Sequence, residues 1–332
     1  MAERAVWPTL VVIDAQPCDL SEGRLLDGIL GRLRPSGTAN SPIERERAVH
    51  RALDCLYAIA RRKSVFCAYD GHLLLAFALT ASTSRSRVLR TKARAMGRER
   101  ARYWMTRWPV ICRRLDADSV LQQVIASDAA GRLGLTTRRI QQDLRATVAR
   151  YSTESLLYFD PRRQDVPSNL TVCPYEAWYY ALTSSYFCAR QAMPLPVRPG
   201  DVLKRLASLL PYPPAGTPRH YQAVYAVTHI VYVRNDYGER RLSPRALPHV
   251  RAFLKASLGP ALERQEPDTV AEIVESLLAL SVPATDPLIE SGRRFLLATQ
   301  RPDGGWGDQA DRYGRFHTIW AVIDGLRDRS WR

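Results

Sequence analysis

The chain has 332 residues, 46% hydrophobic and 24% charged, a balance that suits a globular protein of one large or two modest domains and excludes a disordered or fibrous chain. Lys and Arg exceed Asp and Glu by 15, a surplus that attracts anionic partners without naming one. The longest apolar runs, such as Leu73–Leu79, fall short of the roughly 20 residues of a membrane span; the six cysteines form no CxxC pair, which argues against a disulfide framework or a cysteine-rich zinc module.

In chain order, residues 1–40 carry one strand-like run, TLVVI, and no sustained apolar stretch ahead of a small-residue cleavage site. They read as an N-terminal extension, and the chain as cytoplasmic. A helix is expected over Ser41–Arg62 after an Asn-Ser-Pro start. His72, in Tyr69-Asp70-Gly71-His72, reads as a capping or surface residue. The stretch Arg85–Arg114 holds eleven Lys or Arg residues against the one acid Glu99, with Leu89, Trp104 and Trp108 among them. It predicts a solvated outer helix with one apolar face; no recognisable nucleic-acid reading motif accompanies it, so nucleic acid is not the expected partner. Further helices are predicted over Asp118–Ala130, Thr136–Tyr151, Asp201–Leu210, Ser243–Leu258, Asp268–Leu280 and Asp286–Gln300. Ser243 before Pro244 and Asp268 after Pro267 are placed as side-chain caps. AVYAVTHIVYV reads equally as a strand or a buried helix. The fold class is all-α.

Prolines and glycines at Pro161–Pro167, Pro194–Gly200, Pro211–Pro218 and Pro302–Gly307 cut the second half into units of similar length. Tyr180–Phe187 aligns with Tyr225–Tyr232 at an offset of 45 residues; steps of about 44 then reach Ile273 and His317. Such a period describes a helix-pair repeat, and the polar residues at corresponding places, namely Ser184, His229, the Glu272/Glu275 region and His317, favour closure around a central cavity over an open solenoid. The expected architecture is a single α/α toroid over residues 1–332, with repeats of about 45 residues clearest over 174–326.

The C-terminal repeat holds two motifs. Gln300-Arg301-Pro302-Asp303-Gly304-Gly305-Trp306-Gly307 resembles the QW-type repeat of squalene and oxidosqualene cyclases, in which glycines permit a tight turn that the Gln side chain and Trp ring tie to a neighbouring helix. Phe316-His317-Thr318-Ile319-Trp320-Ala321-Val322-Ile323-Asp324-Gly325-Leu326 resembles the YHT-x-Y-x-L-x-GL helix of protein prenyltransferase β subunits. The resemblance implies an α/α toroid of the terpenoid cyclase and prenyltransferase superfamily and gives His317 the place of a zinc ligand. Three departures accompany it: no Asp-x-Cys pair one repeat earlier, no DxDD acid (Asp116-Ala117-Asp118-Ser119 lacks the last carboxylate) and no DDxxD magnesium motif.

For His317 to be a ligand, neighbouring repeats must supply the rest. His229 lies two repeats back, Asp236 ends the same element, and Glu272 and Glu275 belong to the repeat between. Imidazoles and carboxylates suit Zn, Fe or Mn, so the expected metal set is His229, Asp236, Glu272 and His317, the same four being the candidate catalytic residues. The expected function is a metal-dependent enzyme, of the kind found in bacterial specialised metabolism. It would act by cyclisation, group transfer or oxidation on a small apolar substrate whose anionic group arginines orient. Three alternatives stand beside it: one histidine as general base with Asp236 or Glu272, a metal-free cyclase using Asp116 or Asp118, and a non-catalytic scaffold whose basic face binds nucleic acid or an acidic protein.

Overall fold

The computed structural model describes residues 40–163, 173–207, 209–217, 219–308 and 310–331. The N-terminal extension expected over residues 1–40, with its TLVVI run, therefore lies outside the described residues except for Asn40. Thirteen helices are described: α1 (Pro42–Ala60), α2 (Lys63–Thr83), α3 (Arg87–Cys112), α4 (Ala117–Arg132), α5 (Arg138–Val148), α6 (Thr153–Leu157) and α7 (Pro174–Arg190), then α8 (Pro199–Ala207), α9 (His220–Arg234), α10 (Pro248–Glu263), α11 (Pro267–Ala279), α12 (Pro287–Ala298) and α13 (Arg312–Leu326). Among the described residues no strand occurs, only one bridge between Ser84 and Arg329. The protein is all-α.

Local chemistry sets several helix starts. Ser41 and Glu44 form a reciprocal capping box on α1, with Pro42 in the first turn. Asp116 and Ser119 do the same for α4, and Asp286 accepts from Leu288 N at 3.0 Å before Pro287. Two expected caps are corrected. Ser243 accepts from Arg245 N in a separate turn at 3.3 Å, and α10 begins only at Pro248, after Leu247 in left-handed backbone. Asp268 lies inside α11, whose N-cap is Glu266, and its carboxylate is spent elsewhere.

Twelve of the thirteen described helices fall into two sets, and the short α6 lies against α4 and α7. In the first set, α2, α4, α7, α9, α11 and α13, consecutive members pack side by side, and α13 packs back on α2. In the second set each helix leans on the first: α1 on α13 and α2, α3 on α2, α5 on α4, α8 on α7, α10 on α11, and α12 on α11. This division explains the burial patterns. On α8 only Val202 and Leu206 are buried, the narrow stripe of a helix with one wet side. On α9 Val224, Val227, Ile230, Val231 and Val233 are buried together with Thr228 and Tyr232, because one side meets the second set and the other a cavity. That two-sided burial makes AVYAVTHIVYV resemble a strand, although it is α9. The basic helix α3 buries Leu89, Ala93, Gly97, Ala101, Trp104 and Trp108 along one face and exposes Arg87, Arg94 and Arg102. Helix α2 is long and apolar enough to cross a bilayer by length and composition, but 72% of that stretch is buried inside the fold.

The glycine-rich loop after α12 ties the last helices to α1. Gln300 donates from Nε2 to Ala48 O on α1 and to Gly304 O within the loop, both at 2.9 Å. Trp306, buried, donates to Leu296 O at 2.9 Å. Gly304 has φ +84°, and a Cβ there would lie 2.6 Å from Arg51 O, so the backbone of α1 is approached as only glycine allows. Beyond α13, Ser330 N donates to Thr83 O at 2.8 Å, and Arg329 reaches inward to Glu275.

Candidate active site

One cavity runs between the first-set helices, enclosing about 850 Å³ including its open mouth. Ser184, His229, Glu272, Glu275 and His317, the polar residues singled out by the repeat, all line it.

The chemistry gathers where α9, α11 and α13 meet. Asp268 and Glu272 are one turn apart on α11, so both carboxylates lie on one face. His317 Nδ1 is 2.9 Å from Asp268 Oδ1 and donates to it, and its Nε2 is 3.8 Å from Glu272 Oε1. The Tyr225 hydroxyl donates to the other Asp268 oxygen, and Thr228 Oγ1 donates to Glu272 Oε2 at 2.6 Å. One potential ligand atom from each of Asp268, Glu272 and His317 lies within 4.8 Å of the other two. The Tyr313 ring stacks on His317 with centroids 5.4 Å apart and limits its rotation.

Charge in this group is tightly linked. For His317, burial opposes protonation, but Asp268, by charge and hydrogen bond, and then Glu272 overcome it and raise the imidazole to about 9. For Asp268, burial works upward, and His317 with the hydrogen bonds from Tyr225 and Thr318 holds the carboxyl below its ordinary value. Glu272 is pushed up to about 8 by burial and then by the Asp268 charge, against the pull of His317 and Thr228. The buried Glu272 and the half-buried Asp268 thus share one cation, and Glu272 keeps its proton.

Of the four residues expected as ligands, Glu272 and His317 meet directly. His229 lines the same cavity but outside this group: its Nδ1 donates to Tyr225 O at 2.7 Å, its ring stacks on Tyr179 at 4.8 Å, and burial lowers it to about 4. Asp236 is a correction. It sits in left-handed backbone after α9, accepts from Tyr186 and pairs with Arg190 at 3.0 Å, in a network that continues through Asp128 to Arg132. Those guanidinium partners engage it away from His317. His72, expected at a cap or on the surface, instead faces the cavity inside α2, edge-on to Tyr313 at 6.0 Å; burial lowers it to about 3. Asp116 caps α4, Asp118 is exposed beside it, and neither lines the cavity. The arginines expected to orient an anionic group are absent from the cavity lining among the described residues. Pro267 gives Asp268 the sequence context of a cap and hides its place in the site; its spacing of four from Glu272 is the signal that finds it.

Residues 180–318 match the family described as Domain of unknown function (DUF6895). That span runs from α7 into α13 and contains His229, Asp268, Glu272 and His317, with His72 outside it. No curated protein and no solved structure matches the chain.

Proposed function

We propose that this chain is an enzyme built as an α/α toroid, whose central cavity holds a divalent metal ion at Asp268, Glu272 and His317. The closed succession of first-set neighbours, with α13 returning to α2, supports the toroid. The convergence of two carboxylates and one imidazole, with Glu272 and His317 lining the cavity and Asp268 hydrogen-bonded to His317, is the observation that carries the metal reading.

The donor set fits such an ion. Glu272 is 3% exposed, an expensive place for a second carboxylate, and a divalent cation offsets the charge that His317 alone cannot. All donors are oxygen or nitrogen, which suits Zn, Fe or Mn. Asp268 lies one helix pair before His317, the place from which the prenyltransferase β subunits that α13 resembles draw their Asp-x-Cys ligands. Here Val270 stands where that cysteine would be and packs toward Gly292, so Glu272 completes the set. Tyr225 and Thr228 hold the carboxylates through their hydroxyls, as outer partners commonly orient metal ligands. The bound ion would supply Lewis acidity toward a substrate oxygen. Around it His229, whose Nδ1–H is fixed on Tyr225 O, offers Nε2 as a proton acceptor, and aromatic rings form much of the wall.

Chelator-free purification followed by elemental analysis tests the proposal. We expect close to one Zn, Fe or Mn per chain, lost in Asp268→Asn and His317→Ala and retained in Asp236→Asn. A second reading, favoured by the direct His317–Asp268 hydrogen bond, is metal-free acid–base catalysis by that pair. Protein without metal whose activity still requires His317 and Asp268 would select it.

A further inference from the structure

We propose that the ligand of this cavity is an uncharged hydroxylated or oxo aromatic compound, of the phenol or quinone class. The inference rests on the cavity being the active centre, and its test separates the ligand class from the metal.

Electrostatics excludes the charged alternatives. The chain carries 48 Lys and Arg, yet among the described residues none lines the cavity. Of the three carboxylates that line it, Glu272 accepts from Thr228 in the site already described, and the other two are matched: Arg329 pairs with Glu275 and, at 3.3 Å, with Asp324, and Asp324 also has Arg327 at 2.6 Å. A phosphate or carboxylate group entering would meet no guanidinium or ammonium; the cations at the wall, His317 and the ion proposed beside it, are already matched by Asp268 and Glu272, so a further anion would be buried without a partner of its own, which is costly. A cationic amine would likewise find these acids engaged.

Polar groups on the wall then exclude a purely aliphatic ligand. Tyr179, Tyr232 and Tyr313 line the cavity, and Tyr232 is only 9% exposed. A phenol is un-ionised at pH 7, so each is a neutral O–H donor. None of the three hydroxyls has a hydrogen-bond partner among the described residues, although hydrogen bonds hold Tyr225 to Asp268 and Tyr186 to Asp236. Against the rings of Tyr179 and Tyr232 stands His229, whose Nε2 is the lone-pair nitrogen of a tautomer fixed by Nδ1–H on Tyr225 O. An aliphatic ligand would displace water from these groups and return nothing. A flat ring presents π faces to Trp320 and the tyrosines, and its hydroxyl or carbonyl oxygens meet the phenols and the imidazole.

The test is calorimetric titration of the full chain at pH 7 with 1-naphthol, 1-naphthoate, farnesol and farnesyl diphosphate, with metal content measured on the same samples. We expect one saturable site for 1-naphthol and at least tenfold weaker binding of the other three. The Tyr179→Phe, Tyr232→Phe and Tyr313→Phe variants, which keep the rings, should each weaken 1-naphthol binding about three- to tenfold while the circular dichroism stays unchanged. Equal or tighter binding of 1-naphthoate, farnesol or farnesyl diphosphate would overturn the proposal, as would no binding of 1-naphthol or an affinity indifferent to all three substitutions. Metal-free protein that still binds 1-naphthol would retain the ligand class and discard the metal; metal-loaded protein that does not bind it would do the reverse.

Discussion

Metal binding at Asp268, Glu272 and His317 must compete with protons, and the structure says with how many. His317, raised to about 9, and Glu272, raised to about 8, are both protonated at pH 7 in the metal-free protein, whereas Asp268, held low, is already ionised. Ligation therefore releases two protons below pH 8. Apparent affinity should rise about a hundredfold per pH unit between pH 6 and 8, then about tenfold per unit until His317 has titrated, and level above that. Glu272→Gln removes one of the two protons along with a ligand, so it should lower affinity and halve the slope. The assay is competition of Zn or Mn against a chromophoric chelator from pH 6 to 9. An affinity independent of pH, or one that falls as pH rises, would refute the linkage.

The metal-free fold carries the same groups. The raised His317 stabilises fully below its unfolded value near 6.5 and loses that contribution as pH rises through about 9, while the raised Glu272 costs stability progressively from its unfolded value near 4.3 up to about 8. The melting temperature of metal-free protein should therefore fall between pH 7 and 9 by differential scanning calorimetry, and saturating metal should suppress the fall. Trp306→Ala, removing a fully buried ring and its bond to Leu296 O, should cost about 3–5 kcal/mol in chemical denaturation. Gly304→Ala forces a Cβ toward Arg51 O in a positive-φ backbone and should cost about 1–3 kcal/mol; a loss within error would show that the loop does not clamp α1. Asp236→Asn should lower stability through the Arg190 network and leave metal content unchanged.

The helices were legible because their starts are written in local chemistry: Ser41-Pro42 with Glu44, and Asp286-Pro287, cap whatever follows them. The site was legible only in part, because ligands come from different helices and sequence distance misleads in both directions. Asp236 seemed a companion of His229, but seven residues along a helix amount to about 10 Å, and the arginines around Asp236 engage it. Asp268 is 49 residues from His317 and one hydrogen bond away in space. His72 follows an Asp-Gly pair that suggests a break, and the backbone is indeed non-helical at Tyr69; the helix then resumes and carries His72 into the cavity. The unpartnered tyrosine hydroxyls have no sequence signature, since a phenol on a buried helix reads as core until its neighbours are known.

Anomalous diffraction from crystals of the metal-loaded full chain, collected at the absorption edge of the bound metal, tests the central claim most directly. A single strong peak in contact with Asp268, Glu272 and His317 is expected. A peak elsewhere, or a fully occupied metal whose ligands omit Asp268, would contradict it.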